Sequence, residues 1–331
     1  MSDFEHRHAG HCESGTVAAL LRHQGLDLSE PMVFGIGGGL FFLHLPWLRM
    51  GGIPLTSYRD APRVIIKNIG KRFGIRWRQH RYRDPASGMR ALSAFVDSGR
   101  PVGVQTSVYW LPYFPVEMRF HFNGHNLVVY GREGSDYLIS DPIAEIPVTC
   151  AADDLQRARF AKGVFAPRGL TYYPEGVPRD PDVRTAVRDA IRATARRMVD
   201  MPVPMFGTRG IGWLARRLER WPEKLGAEMA RKWVGSVVRM QEEIGTGCAG
   251  FRFIYAAFLQ EAGDMLNNAA LRECAIDLTA TGDLWREFAV QGALLVKQRR
   301  DGSEAYAHLA ALLRECGARE QEIFTRLKTA V

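Results

Sequence analysis

The sequence predicts an α+β domain with an antiparallel sheet, followed by an all-helical domain. Three observations carry this. Two β-rich runs, 126–130 and 137–140, flank a turn rich in glycine and charge, the pattern of a hairpin. From Pro181 to Val331 apolar residues recur at helical spacing almost throughout. Between these regions lies "PEGVPRDPD", residues 174–182, a proline-rich charged stretch that reads as a boundary. The expected domains are 1–175 and 176–331.

Each element has a local reason. "ESGTVAALLRHQG" spaces Val17, Leu20 and Leu21 as a helix does and stops at Gly25. Ser29, Glu30 and Pro31 open a second short helix. It runs into "GIGGG", residues 35–39, which must be a loop or tight turn. Residues 62–73 read as a helix, and "IRWRQHRY" (75–82) alternates like a strand. Asp84 and Pro85 start another helix, and "RPVGVQTSVYW" follows as a buried strand. After the hairpin come a strand at "EIPVTC", a helix over 151–162 and a closing strand at "GLTYYP". Beyond the boundary, helices are expected over 182–200, 209–220, 222–244, 248–262, 267–299 with a break, and 302–328.

Composition narrows the function classes. Over 331 residues, 46% are hydrophobic and 24% charged, ordinary for a globular protein. No charge-free apolar stretch is long enough to span a bilayer, and "MSDFEHRHAGHC" lacks a signal-peptide core, so a cytoplasmic protein is expected. Five scattered cysteines without a C-x-x-C pair argue against a disulfide framework or a structural zinc site. The net charge is +8. Eight basic residues and no acid lie between Arg63 and Arg83. That run is either a solvated helix face and strand, or a surface for a polyanion or acidic protein. Arg184, Arg188, Arg192 and Arg196 form a similar stripe, open to the same two readings.

The chemistry concentrates at three residues. Cys12 stands at a helix start, where the positive end of the helix dipole favours the reactive thiolate form of a cysteine. His125 and Asp141 are equidistant from residue 133 in the hairpin turn, so an antiparallel ladder centred there sets them side by side. A carboxylate beside an imidazole fixes its tautomer and stabilises its charged form. Taken singly, Cys12 reads as a small core residue and His125 as a strand-end histidine satisfied by a neighbour. Taken jointly, they read as nucleophile, base and orienting acid.

This pattern resembles the papain-like fold, and its layout is similar to the double-glycine leader peptidases of bacteriocin exporters, with "HCESGTVAALL", "GHNLVVYG" and "SDP" in the Cys, His and Asp places. A fuller resemblance is to the butirosin biosynthesis protein H family. It rests on "GHCESGTVAALLRHQGLDLSEPMVFGIGGGL", "FNGHNLVVYG" and "SDP", and, in the helical part, on "IGTGCAGFRFIYAAFLQEAG" (244–263). The resemblance implies a papain-like first domain with a helical domain covering its cleft. It also implies transfer of an acyl group from an acyl carrier protein to an amine, with Cys12 as nucleophile, His125 as base and acid, and Asp141 as the orienting residue. No bound cofactor is implied: the acyl group arrives on a phosphopantetheine arm delivered by the carrier protein. The expected partners are that acidic carrier, docked transiently, and a small-molecule amine. Neither nucleic acid nor a membrane span is expected, and the oligomeric state is open.

The sequence departs from papain-like hydrolases in having no glutamine before Cys12 to donate to an oxyanion. The candidates are the Cys12 backbone N–H with one of His6, His8 and His11, or the Gly-rich backbone at Gly37 and Gly38. Gly37 and Gly38 either line an acyl channel or form a plain turn. Glu13 either attracts a cationic amine or favours the helix start. Arg252 either faces the cleft or lies in the core. "HRHAGHC" is either a metal cluster or, the preferred reading, a His-rich mobile terminus. Two rival functions use the same chain: a cysteine hydrolase, peptidase or thioesterase, with the same triad, and a catalytically silent binding module.

Overall fold

The computed structural model describes residues 4–50, 52–244, 248–300 and 302–331. In chain order the elements begin with α1 (Cys12–His23), α2 (Glu30–Ile36), β1 (Leu40–Met50), β2 (Ile53–Arg59), α3 (Val64–Phe73) and β3 (Arg76–His80). There follow α4 (Pro85–Asp97), β4 (Val102–Thr106), β5 (His125–Glu133), β6 (Asp136–Ser140), β7 (Val148–Ala151), α5 (Ala152–Arg159) and β8 (Thr171–Glu175). The rest is helical: α6 (Val183–Val199), α7 (Gly207–Leu218), α8 (Trp221–Leu225), α9 (Ala227–Glu242), α10 (Arg252–Leu266), α11 (Ala269–Val296) and α12 (Ser303–Leu327). Contacts divide the chain into two units. One is Met1–Val33 with Pro62–Asp182, the other Phe34–Ala61 with Val183–Val331.

The first unit is built on a six-stranded antiparallel sheet, ordered β3-β8-β4-β5-β6-β7. Asp84 caps α4 by accepting the Ser87 N–H at 2.7 Å, with Pro85 in the first helical turn, as the sequence predicts. Leu92 and Val96 of α4 and Leu155 and Ala158 of α5 are buried with Val104, Leu127, Val129 and Ile139 of the sheet in one core. That core is continuous and almost fully desolvated, so it holds the central strands rigid beneath the site. The basic run from Arg63 to Arg83 falls on α3, on the edge strand β3 and on the segment after it, where Arg78 pairs with Glu175 at 2.7 Å.

The hairpin is present but its register differs from the expected one. Glu133 pairs with Asp136, and a bulge between Val129 and Gly131 sets Val128 opposite Ser140. Extrapolating that ladder, Asp141 falls level with Leu127 rather than His125. A two-residue turn and a bulge move the centre, and neither can be read from alternation alone. The shift is by two residues, so both side chains keep the same face and meet on a diagonal.

The second unit contains a hairpin the sequence reading passed over: β1 pairs antiparallel with β2, with Leu43 opposite Ser57 and Leu45 opposite Leu55. The helix expected over 222–244 is split by Gly226, at φ 77° and ψ 160°, into α8 and α9. The break expected within 267–299 is absent: α11 is continuous. Four successive residues, Cys248, Ala249, Gly250 and Phe251, have positive φ and form a left-handed turn ahead of α10. Residues 245–247 of the quoted "IGTGCAGFRF" stretch lie outside the described residues.

Candidate active site

The site lies within the first unit, and its geometry begins with the segment ahead of α1. His11 is the N-cap of that helix, in extended backbone, and its Nδ1 accepts the Ser14 N–H at 3.3 Å. The Gly10 and His11 N–H groups each donate to a Glu30 carboxylate oxygen at 2.7 Å, and the Ser14 hydroxyl adds a third donor at 3.1 Å. Burial pushes the Glu30 carboxyl up, opposed by these donors. Ala9 N–H donates to Pro142 C=O at 2.6 Å. A Cβ added at Gly15 would lie 2.6 Å from Pro142 Cβ and 2.7 Å from Ala9 Cβ, so only glycine lets α1 press this close to the 141–142 turn. The start of α1 and the end of β6 are thus clamped together. The N–H of Cys12, first in its helix, has no carbonyl four residues back to bond within the helix.

Asp141 follows the last residue of β6, and its side chain is wholly buried. Its Oδ2 accepts from His125 Nε2 at 2.6 Å and from the Tyr113 hydroxyl at 2.7 Å, and its Oδ1 accepts the Ile143 N–H at 3.0 Å. Burial opposes ionisation of Asp141, but the His125 charge and these donors hold its carboxyl below the usual range. Burial likewise opposes charge on His125. The Asp141 charge and hydrogen bond, joined by the neighbouring Cys12 sulfur, override it and raise the imidazole to about 10. With Nε2 on Asp141, the ring nitrogen left for the Cys12 sulfur is Nδ1. Phe114 meets the His125 ring edge-on, at 5.6 Å between centroids. Cys12, 4% exposed, therefore faces an oriented, proton-bearing imidazole. Burial pushes the thiols of Cys150, Cys274 and Cys316 up, Cys150 to about 12.

Residues 153–327 match the family model described as "Domain of unknown function (DUF4872)", and residues 11–142 match that described as "Butirosin biosynthesis protein H, N-terminal". The chain belongs to the DUF4872 family and carries a butirosin biosynthesis protein H N-terminal domain. In that butirosin-type domain the Cys-bearing helix α1 is set on the antiparallel sheet whose strand β5 begins at His125. Among solved structures, a C39-like peptidase from Bacillus anthracis is similar at 13% identity and a TM-score of 0.36, over 52% of this chain and 95% of that one. No curated protein matches the chain.

The remaining candidate residues of this DUF4872 member take structural places. His11 is a buried helix cap engaged by Ser14, which corrects its reading as an oxyanion donor. Glu13 is buried and accepts the Arg63 N–H at 3.0 Å, which ties α1 to the start of α3 instead of presenting a carboxylate to an amine. Gly37 and Gly38 belong to the second unit, where they form a plain turn. A Cβ at neighbouring Gly35 would lie 2.1 Å from the Phe258 ring, so small residues there serve packing. Arg252 does not line a cleft: it is fully buried in the second unit, paired to Glu320 at 2.8 and 2.9 Å and set over Trp285 and Tyr58. The N-terminal histidines are not a loose tail, since His6 bonds Ser140 at 2.7 Å and Ala144 C=O at 3.1 Å, and Phe4 stacks on Tyr130. Among the described residues no group of three or more His, Cys, Asp and Glu is placed to hold a metal. Among them, too, no helix is long and apolar enough to cross a membrane.

Sequence reasoning missed Tyr113 and the clamp made by Glu30. Tyr113 lies in an irregular stretch between two short 3-10 turns, where no periodicity marks a side chain as inward. Burial and the Asp141 charge push its phenol well above the ordinary range, so it stays a donor. Tyr113→Phe keeps the ring and removes one hydrogen bond to a buried charge. It should cost about 1.5–3 kcal/mol in denaturant unfolding. A loss under about 0.5 kcal/mol would mean that this bond does not hold the carboxylate.

Proposed function

We propose that this protein is a cysteine-dependent N-acyltransferase of antibiotic or related secondary-metabolite biosynthesis, moving an acyl group from a carrier-protein thioester to an amine. The observation that carries the reading is Cys12 at the first position of α1, within electrostatic reach of an imidazole whose Nε2 bonds Asp141 at 2.6 Å. The butirosin biosynthesis protein H match supports the pathway type. The catalytic residues in this reading are Cys12, His125 and Asp141.

The steps follow from the geometry. The Cys12 sulfur, its proton held on His125, attacks the thioester carbonyl carbon. The positive end of α1 and the Cys12 N–H stabilise the negative charge that develops on oxygen. As the tetrahedral intermediate collapses, the bond to the pantetheine sulfur breaks. His125 gives that sulfur its proton, leaving acyl-Cys12. An amine then attacks the acyl carbon, His125 takes a proton from nitrogen, and the Cys12 thiolate leaves with formation of the amide. Asp141 stays ionised throughout and stabilises the imidazolium. The acyl donor is carried on phosphopantetheine, so the protein itself holds no cofactor. An acidic carrier would meet the basic residues of α3 and β3.

Incubation with an acyl-carrier thioester, with and without a panel of amines, separates the readings. Transfer predicts amide formation, with release of free acid slow unless an amine is present. Equal, amine-independent release of free acid would replace transferase by thioesterase.

A further inference from the structure

Away from this site, the second unit holds a cavity of about 360 Å3 whose chemistry none of the above uses. Three indoles line it, from Trp213 on α7, Trp221 on α8 and Trp233 on α9. Five cations surround them: Arg49 from β1, Arg216 and Arg217 from α7, Arg220 just beyond it, and Lys224 from α8. Among the described residues no acidic side chain lines the cavity. Among the described residues none of the five cations has an ion-pair partner, although Arg residues elsewhere on the surface are repeatedly paired with carboxylates. Arg217 lies over Trp213 at 4.6 Å and Arg49 over Trp233 at 5.9 Å, so the guanidinium planes are already set against indole faces.

The sequence explains the clustering. Trp213, Arg216, Arg217 and Arg220 recur at helical spacing and share one face, and the turn into α8 adds Trp221 and Lys224. Concentrating like charges this way is unfavourable unless something negative offsets it. Two further features point inward. The indole N–H groups of Trp221 and Trp233 are buried without a partner among the described residues, and so is Arg217 Nε. Buried donors of this kind ordinarily find an acceptor. Beneath them His44 packs against Trp213 and Trp221. Burial and the Arg217 charge push its imidazole down to about 4, so it adds no cation of its own.

We propose that this cavity is a binding site for a small organic phosphate bearing a flat ring, of the nucleoside polyphosphate class. Guanidinium groups match phosphate oxygens in pairs, and indole faces are platforms for a heteroaromatic base. The volume falls within the range of small-molecule sites. A bare inorganic anion would leave the indoles unused, and an uncharged ring would leave the cations unused. The ligand therefore needs both parts.

The test is a titration of the full chain, read by tryptophan fluorescence and calorimetry, with ATP, tripolyphosphate and adenosine as probes. Saturable one-to-one binding of ATP is expected, about tenfold or more tighter than either fragment, and weakening as salt rises. Arg216, Arg220 and Lys224 are exposed, so Arg216→Gln, Arg220→Gln and Lys224→Gln combined should keep the fold, checked by circular dichroism, and lower ATP affinity at least tenfold. The proposal is overturned if ATP shows no saturable binding, or if tripolyphosphate binds as tightly as ATP. It is equally overturned if the triple variant binds like the parent, or if a single-stranded oligonucleotide binds far more tightly than ATP, which would make the cavity part of a nucleic-acid track. None of these outcomes depends on Cys12 being a nucleophile.

Discussion

Cys12→Ala should abolish acyl transfer, lowering kcat/KM by about four to six orders of magnitude while leaving the circular dichroism spectrum unchanged. The size of the effect follows from the role. Without sulfur there is no acyl-enzyme, and His125 and Asp141 can only assist a direct attack that the site is not built to hold. The substitution removes one small buried atom at the first turn of α1. The cap by His11, the Glu30 clamp and the contact of Gly15 with Pro142 all remain. Cys12→Ser tests the same point with shape preserved, since a hydroxyl gives up its proton far less readily than a thiol. A Cys12→Ala protein with undiminished turnover would favour a different nucleophile or a binding module.

Asp141→Asn is expected to have the second largest effect, a fall in kcat/KM of about three to four orders of magnitude. An amide keeps the volume but only one oxygen, so it can accept on the Oδ2 side from Tyr113 or on the Oδ1 side from the Ile143 N–H, not both. It removes the charge that holds His125 protonated and can present the wrong group to Nε2. The His125 titration, followed by NMR of the ring protons, should move down from about 10 in the variant. Stability carries the same signature. Asp141 has a lowered folded value, so its contribution is present above the ordinary carboxyl value of 3.8 and is lost as pH falls. His125 has a raised folded value, so its contribution is full below 6.5 and is lost as pH rises toward about 10. The pair therefore stabilises most, and evenly, between about 4 and 6.5, and Asp141→Asn should flatten the loss of stability below about 4 and from 6.5 toward about 10. An unfolding profile with the same curvature in parent and variant would contradict this.

The elements carrying the site were legible because each has a strong local signal. β-rich runs around a turn rich in glycine and charge mark β5 and β6, and helical spacing that stops at Gly25 marks α1. The partnership of His125 with Asp141 survived a wrong register only because the slip was even, leaving both on one face. What was illegible depends on partners distant in sequence. Arg252 reads as a polar residue on an amphipathic helix, and nothing near it announces Glu320, 68 residues away. Glu30 reads as a helix opener, and its clamp on Gly10 and His11 exists only once the chain has folded back. In β1, Pro46 and two irregularities in pairing obscure the alternation, and in β2 the buried positions are Pro54, Thr56 and Tyr58 while Ile53 and Leu55 are less buried, so hydropathy does not mirror the pleat.

The central claim is that the sulfur of residue 12 accepts an acyl group. Intact-protein mass spectrometry after exposure to an acyl-carrier thioester, followed by peptide mapping, tests it most directly, and mapping matters because Cys248 is also unbridged and is exposed. The account predicts a single acyl increment on the peptide holding Cys12, retained in Cys248→Ser and absent in Cys12→Ala. An increment mapping to Cys248, or thioester consumption with no adduct on residue 12 at any time point, would contradict it.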